Sequence, residues 1–258
     1  MSRKSAESHS DVTHSYATDE RYFNRYADGY EAYTAGDLDL VLSDLLAALR
    51  GTTVTRACEV GCADGQFSAE LAHRLGGAHP ALFVGLDIAG EVLKRYPFTK
   101  LRASGFDMPL APASLDLLCY VGSLHHLAPF EDALTEASRV LKPGGLLYLL
   151  EPNRFHPHRR LFMSRPSLYR WYRDANDTPV DPFALQAALQ RRDFQTLTLR
   201  FVTIAFRRPG WLQRIQNALA TVPWPQALQP YVSPWFLLIL RRGGRSESHR
   251  PERGLPST

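Results

Sequence analysis

The chain has 258 residues, 45% of them hydrophobic and 22% charged, with 17 Gly and 18 Pro, a composition that excludes collagen-like, coiled-coil and wholly disordered proteins. Its net charge of +4 comes from 30 Lys and Arg against 26 Asp and Glu. Because the sequence shows no basic stripe on folded elements, we expect no nucleic-acid partner. The three cysteines lack the paired spacing of a disulfide framework. The sequence also shows no apolar leader and no stretch long enough to span a bilayer, so we predict a cytoplasmic protein without stable membrane insertion.

Two helices are predicted ahead of the first strand. Residues 1–15 are polar, and we expect them to be disordered. The apolar residues from Leu38 to Leu49 form one face of the second helix, which Gly51 ends. Four tyrosines at helical spacing indicate the first helix: Tyr22, Tyr26, Tyr30 and Tyr33. Residues 16–51 are therefore interpreted as a helical cap.

From residue 54 onward, strands and helices alternate. Short apolar runs predict strands over residues 54–60, 81–87, 98–103, 115–121 and 146–151. The segments between them predict helices over residues 64–75, 89–96 and 129–141. Buried strands that alternate with helices of this length imply an α/β fold whose parallel sheet is covered on both faces.

The last third of the chain is less regular. Residues 153–177 are rich in Arg and aromatic residues. Beyond them the patterns predict a helix over 182–191, a strand over 194–206, a helix over 211–219 and a strand over 235–240. We expect residues 243–258 to form a disordered basic tail, and residues 16–242 to form a single domain.

A glycine-containing turn follows the first predicted strand, with the sequence Glu59-Val60-Gly61-Cys62-Ala63-Asp64-Gly65. In open parallel sheets, ligands bind beyond the carboxyl ends of the strands, where a glycine lets the backbone approach the ligand closely. The turn is therefore a candidate ligand-binding loop.

The charge of this loop distinguishes between ligands. A pyrophosphate-binding loop has the pattern G-x-G-x-x-G and no negative charge beside the helix N-terminus. Here the second glycine position is Ala63, and Glu59 and Asp64 flank the turn. Two carboxylates repel phosphates but attract a ligand that carries an ammonium and a sulfonium. S-adenosylmethionine (SAM) carries both.

A further acid, Asp87, ends the second predicted strand. A carboxylate at the tip of that strand accepts hydrogen bonds from both ribose hydroxyls of an adenosine, whichever cofactor carries it. Alone this signal is weak, but together with the loop it is strong.

With both signals in place, the chain resembles the class I SAM-dependent methyltransferases. The resemblance covers roughly residues 16–150, and it is looser as far as about residue 242. Five pieces in the family's order and spacing carry it: the loop 59–65, Asp87, Asp107-Met108-Pro109-Leu110, residues 115–127 and Leu141-Lys142-Pro143-Gly144-Gly145.

The resemblance implies which residues hold the cofactor. The methionine end would lie on the loop, at Glu59, Gly61, Cys62, Ala63, Asp64 and Gly65. Asp87 would bind the ribose, Ile88 would cover one face of the adenine, and the backbone at Tyr120 and Val121 would flank the sulfonium. The adenine edge would meet Ser104, Gly105 and Phe106. Ser104 stands where the family often has an acid, and its hydroxyl accepts a hydrogen bond more weakly than a carboxylate does.

The resemblance also implies the architecture. We expect a Rossmann-like, doubly wound sheet of seven strands, mostly parallel with the last strand antiparallel, an N-terminal helical cap and an inserted lid over residues 153–180. In the family the cap covers the cofactor and forms a wall of the acceptor pocket, which would make Tyr22, Tyr26 and Tyr30 substrate-binding residues. A helical aromatic stripe is more often plain core packing, and a cap helix can serve both purposes.

Methyl transfer from a sulfonium depends mainly on alignment, and it needs a general base only when the acceptor is a poor nucleophile such as a hydroxyl. Candidate bases are His125, His126 and Glu151. For His125, local packing is favoured over catalysis, whereas for His126 the two roles are equally favoured. Glu151 would either meet the substrate or stabilise the loop that follows it.

Within the segment after the fifth predicted strand, residues 154–173 contain six arginines and no acid: Arg154, Arg159, Arg160, Arg165, Arg170 and Arg173. It could be a lid that recruits an anionic or lipid-like acceptor or touches a membrane surface, with Arg154 as a substrate-binding residue. A solvated helix face is the favoured alternative, because arginine is abundant throughout the chain. The histidines here and after the fourth strand lack the spacing of a ligand set, so no metal is predicted.

We therefore predict a SAM-dependent methyltransferase, monomeric or homodimeric, that acts on a small molecule, with O-methylation favoured over N-methylation. Specialised metabolism, or lipid and glycan metabolism, is the expected setting. An enclosed pocket, and the lack of an Asn-Pro-Pro-Tyr type motif after the fourth strand, argue against DNA as the acceptor. One rival is a cyclase-like catalyst on the same fold without methyl transfer. Another is a non-catalytic partner of a second methyltransferase, which the paired acids beside the glycine turn disfavour.

Overall fold

The computed structural model describes residues 20–21, 23–24, 35–76, 82–163, 178, 180–204, 218 and 222–244. Several predictions lie outside these residues: the disordered N-terminus, the tail beyond residue 244, the tyrosines Tyr22, Tyr26, Tyr30 and Tyr33, and the helix 211–219 apart from Ala218, which is helical. Within the described part, no helix is both long enough and apolar enough to cross a bilayer.

Seven strands form one sheet. They are β1 (Arg56–Val60), β2 (Leu82–Asp87), β3 (Thr99–Arg102), β4 (Leu115–Val121), β5 (Leu141–Pro152), β6 (Phe194–Val202) and β7 (Trp235–Arg242). Their order across the sheet is β3-β2-β1-β4-β5-β7-β6. The pairs from β3 to β5 are parallel, and β7 lies antiparallel between β5 and β6. The predicted mostly parallel sheet with an antiparallel last strand is confirmed.

Helices connect the strands. They are α1 (Ala35–Ala48), α2 (Gln66–Leu75), α3 (Gly90–Leu93), α4 (Phe130–Val140), α5 (Pro157–Met163), α6 (Pro182–Gln190) and α7 (Gln229–Val232), with a 3₁₀ turn at Leu124–His126. The helix 64–75 begins later than predicted, because residues 61–65 form the turn. Gly65 precedes it with φ +87°.

Each face of the sheet has its own apolar layer. The side chains of α1 and α2, such as Leu42, Leu45 and Phe67, pack with alternate residues of β4 and β5 on one face. On the other face, α4 and α6 pack with the residues in between, including Tyr120. β4 is buried almost throughout, as expected for a central parallel strand covered by helices on both sides.

One strand is longer than predicted. β5 begins at Leu141 instead of residue 146, directly after α4. Leu141 is fully buried and pairs with Leu115, and the register then shifts between Leu115 and Leu117. Gly144, with φ +81°, lies within this irregularity. Gly144 and Gly145, which follow the predicted helix 129–141, therefore belong to an irregular start of the strand.

Asp116 ties three strands together at the amino end of the sheet. Its Oδ2 accepts hydrogen bonds from the backbone N–H of Thr55 (2.8 Å) and Arg56 (2.9 Å), and its Oδ1 accepts one from Lys142 Nζ (2.5 Å). Burial acts to raise the pKa of Asp116, but the hydrogen bonds from Lys142, Thr55 and Arg56 outweigh it and lower the pKa to about 2.

We expect Asp116→Ala to lower the free energy of unfolding by about 1–2 kcal/mol at neutral pH, because several hydrogen bonds to a charged group are lost. The stabilisation by Asp116 is present above its ordinary pKa of 3.8 and is lost as pH falls through about 2. Urea denaturation at pH 7 and pH 2.5 measures both effects. The exposed Asp132→Ala on α4 is the control and should change stability by less than about 0.5 kcal/mol. Equal losses in the two variants would contradict the role of Asp116.

Candidate functional site

The candidate site lies at the carboxyl edge of the parallel strands. β1, β2, β4 and β5 all end there, so the turns that follow them are neighbours. These turns carry the predicted site residues of the loop 59–65, Asp87, the histidines and Glu151.

The turn after β1 is held against β2 and β4. The backbone N–H groups of Gly61 and Cys62 donate to the carbonyl of Leu86, at 2.7 and 3.3 Å. Gly61 has φ +69°, and a Cβ there would lie 2.4 Å from Ser123 Cβ. Both facts require glycine at this position. Ser123 in turn donates its hydroxyl to the carbonyl of Val60 at 2.6 Å, which fixes the turn after β4 against the end of β1.

Asp87 connects the two predicted cofactor sites. Its Oδ2 accepts a hydrogen bond from the Ala63 N–H at 2.9 Å, and its Oδ1 accepts one from the Ala89 N–H at 2.8 Å. The residue is 7% exposed. Burial raises its pKa, and the hydrogen bonds from Ala89, Ala63 and Ile88 act in the opposite direction. The loop 59–65 and the tip of β2 thus form one continuous rim, with Ile88 half-buried beside it.

Glu59 lies beneath the glycine turn and is 3% exposed. Its Oε2 accepts a hydrogen bond from the Ser68 hydroxyl on α2, which itself accepts one from the Tyr96 hydroxyl at 2.9 Å. The pKa of Glu59 is raised to about 8: burial is the largest cause, the Ser68 hydrogen bonds act to lower the pKa, and repulsion from Asp87 and Asp64 acts to raise it. The site therefore holds a carboxyl group whose charge is incompletely compensated by the chain itself.

The turn after β3 adjoins Asp87. The Ala103 N–H donates to the Asp87 carbonyl at 3.2 Å, and the Phe106 N–H donates to the Ser104 hydroxyl at 3.2 Å. A Cβ on Gly105 would lie 2.6 Å from Leu127 Cδ1, so this turn packs against the segment after β4. Ser104, Gly105 and Phe106 are thus brought beside the ribose-binding candidate.

Glu151, at the end of β5, organises the turn after β4. Its Oε1 accepts from the N–H groups of Ser123 (3.1 Å) and Leu124 (2.8 Å), and its Oε2 accepts from the His125 N–H (3.3 Å). His125 Nδ1 lies 2.7 Å from the same Oε2. Glu151 is fully buried and His125 is 5% exposed. A carboxylate only accepts, so the imidazole donates its Nδ1–H.

His126 is half-buried, in contrast to both neighbours in this cluster. Its ring lies 3.9 Å from that of His125 between centroids, and the ring of Phe23 meets it edge-on at 5.0 Å. Asn24 accepts a hydrogen bond from the Glu91 N–H at 3.0 Å, and Glu20 pairs with Arg102. The described N-terminal residues therefore contact both the β2–β3 side and the β4 side of the carboxyl edge.

The segment after β5 brings an aromatic surface to the same edge. Arg154 pairs with Asp181 at 3.5 Å and lies 5.9 Å from the centroid of the Phe155 ring. A groove of about 390 Å³ follows, lined by Phe155, Pro157, Arg160, Leu161 and Tyr231. Arg154 is half-exposed and has a charge partner within the chain. Residues 164–177 of the predicted lid lie outside the described residues.

Sequence reasoning missed three polar residues that support the site: Ser68, Tyr96 and Ser123. Each contacts the loop 59–65 or its acid: Ser68 from the helix that directly follows the loop, and Tyr96 and Ser123 from elements more distant in sequence. A signal existed for Ser68, which sits on the apolar face of α2 beside Phe67, where a serine needs a hydrogen-bond partner. Nothing in the sequence around Tyr96 distinguishes it from an ordinary core residue.

We expect the free energy of unfolding to decrease as pH rises from 4.5 to about 8, because unfolded Glu59 releases its proton near pH 4.5 while the folded chain retains it. One such group contributes a slope of at most about 1.4 kcal/mol per pH unit. Glu59→Gln resembles the protonated acid and should remove that contribution. Urea denaturation of both proteins from pH 5 to 8 measures the difference, and parallel stability curves would contradict it.

Comparison with known proteins agrees with this geometry. Residues 58–149 match the methyltransferase domain family. The chain is 28% identical over 219 residues to the demethylmenaquinone methyltransferase of Tropheryma whipplei, covering 73% of this chain and 89% of that protein. It is 30% identical over 197 residues to a "probable S-adenosylmethionine-dependent methyltransferase" of Mycolicibacterium smegmatis, covering 66% and 67%.

A crystal structure of a SAM-dependent methyltransferase from Archaeoglobus fulgidus shares the fold, with a TM-score of 0.56 and 19% identity over 80% of this chain and 94% of that one. The identity to the Mycolicibacterium smegmatis protein shows the family, and the crystal structure shows the same fold. The predicted enzyme class and cofactor are confirmed: the chain belongs to the class I SAM-dependent methyltransferases.

Proposed function

We propose that the chain transfers the methyl group of SAM to a small-molecule acceptor, with a hydroxyl oxygen favoured over a nitrogen. The observation that carries this proposal is the pair of buried acids, Glu59 and Asp87, on either side of one glycine turn at the carboxyl edge. They suit two polar parts of SAM, the ammonium of its methionine end and the ribose of its adenosine.

The residues present fit this cofactor. Glu59 offers a buried carboxyl of incompletely compensated charge to the ammonium, and the turn 61–65 offers backbone that approaches closely because glycine occupies its ends. Both Asp87 oxygens accept backbone hydrogen bonds, and because a carboxylate has about four acceptor sites, acceptor capacity remains for the ribose. Ile88, Ser104, Gly105 and Phe106 would hold the adenine, with Tyr120 and Val121 beside the sulfur.

When bound, SAM supplies a methyl group that is already activated on a sulfonium. The chain's own residues then have to position the acceptor and receive its proton. Of the three candidate bases, His126 is the one with substantial exposure. We assign it the role of general base for a hydroxyl acceptor.

Glu151 and His125 hold the turn on which His126 lies. Glu151 accepts the N–H groups of three successive residues and the His125 imidazole, so its acceptor sites are already used. The His125 ring contacts the His126 ring at a tilt of 43°, with 3.9 Å between the centroids. This arrangement supports a role for both residues in orienting the turn beside the sulfonium.

The acceptor would enter between the N-terminal cap and the segment after β5. The groove beside Phe155 and Tyr231 offers apolar surface, with Arg154 and Arg160 at its margin. This supports a small acceptor with an apolar body and a polar or anionic group.

We expect Asp87→Ala to weaken the binding of SAM and of its product S-adenosylhomocysteine by about 1.5–3 kcal/mol, because hydrogen bonds to a charged group are lost. Calorimetric titration of both ligands measures this. Asp132→Ala removes an exposed acid elsewhere and should bind as the unsubstituted chain does. Failure of the unsubstituted chain to bind either ligand would contradict the proposed function.

We expect His126→Asn to lower kcat by about 10²–10⁴ with a hydroxyl acceptor, because the general base is lost, while cofactor affinity changes less than about twofold. The acceptor is the best substrate found in a panel of phenols, alcohols, carboxylates and amines, with S-adenosylhomocysteine formation as the assay and product mass as proof of transfer. An unchanged kcat with a hydroxyl acceptor would exclude His126 as the base.

A further inference from the structure

We propose that Tyr96 is a positioning residue for the methionine end of the cofactor, acting through Ser68 on the Glu59 carboxyl group. The inference rests on the proposed function, because it assumes that the loop 59–65 holds that end. Tyr96 lies between α3 and β3, in a connection that none of the predicted cofactor contacts includes.

The Tyr96 ring fills the space beneath the glycine turn. A Cβ on Gly65 would lie 2.6 Å from Tyr96 Cδ2, and a Cβ on Gly85 of β2 would lie 2.5 Å from Tyr96 Cζ. Tyr96 is 2% exposed and packs with Cys62 of the turn itself. The ring is therefore wedged between the start of α2 and the middle of β2, in contact with the cofactor loop.

The Tyr96 hydroxyl begins a chain of hydrogen bonds that ends on Glu59. It donates to Ser68 Oγ at 2.9 Å, and Ser68 donates to Glu59 Oε2. Ser68 is fully buried, so its hydroxyl has no competing water. Because Tyr96 occupies a lone pair of Ser68 Oγ, the Ser68 proton is directed to Glu59 and polarised toward it. Removing the Tyr96 hydroxyl frees the Ser68 hydroxyl to rotate.

Two ligands separate this role from a general loss of structure. S-adenosylhomocysteine carries the amino acid end that Glu59 would bind, whereas 5′-methylthioadenosine has the same adenosine and sulfur without the amino acid. We expect Tyr96→Phe to raise the Kd of S-adenosylhomocysteine about fivefold and that of 5′-methylthioadenosine less than about twofold. The phenyl ring keeps the space beneath the turn filled.

A double-mutant cycle tests the route through Ser68. Ser68→Ala should weaken S-adenosylhomocysteine binding at least as much as Tyr96→Phe, and adding Tyr96→Phe to it should have little further effect. Tyr148→Phe is the matched control, since the Tyr148 hydroxyl donates to the Val41 carbonyl at 3.0 Å in the core between β5 and α1. It should change neither Kd. If Tyr96→Phe does not fold, Ser68→Ala with the same two ligands decides the question.

Equal weakening of both ligands by Tyr96→Phe, no weakening of either, or a full further loss in the Ser68→Ala background would overturn the inference while leaving the proposed function intact. Failure of the unsubstituted chain to bind either ligand would overturn the proposed function, and the inference with it.

Discussion

Three nearly buried carboxyl groups at one edge of the sheet impose the arrangement of everything around them. Burying a carboxylate costs several kcal/mol unless hydrogen bonds replace the lost water. Asp87 accepts hydrogen bonds from backbone N–H groups of the turns after β1 and β2, and Glu151 accepts three from the turn after β4. The acids thereby fix the turns that surround the cofactor site, and their solvation by backbone keeps that edge rigid before any ligand arrives.

Glu59 differs from the other two acids in how it is compensated. Its hydrogen bonds come from the hydroxyl and the backbone N–H of one residue, Ser68, and its pKa is raised to about 8. Asp87 and Glu151 instead receive the N–H groups of the loops that they anchor. A cation placed beside Glu59 would supply the missing compensation, so cofactor affinity and the ionisation of this group are linked. The same acid that destabilises the ligand-free chain at neutral pH would then stabilise the complex.

The fold and the position of the site follow from sequence patterns, whereas the supporting contacts do not. Alternating apolar runs and helical faces were enough to predict seven strands, and parallel strands necessarily bring Gly61 and Asp87 to one edge. The hydrogen bond between Ala63 and Asp87 depends on the positive φ of Ala63, +47°, which no pattern specifies. The contact of Tyr96 with Ser68 joins residues 28 positions apart through side-chain directions that periodicity leaves open. The start of β5 was missed because Gly144 and Gly145 are typical of turns and of bulges alike.

The insertion of β7 between β5 and β6 has a consequence for how the sheet is completed during synthesis. In the part of the chain that the structure describes, β5 and β6 do not pair with each other: β5 pairs with β4 on one side and β7 on the other, whereas β6 pairs with β7 alone. While a ribosome is still translating the preceding segment, the buried apolar strand β5 keeps one edge of its backbone unpaired, which is a template for wrong pairing. Until residues 235–242 have emerged, one side of β5 therefore has no strand partner, and β7 covers that side and one side of β6 once it is in place.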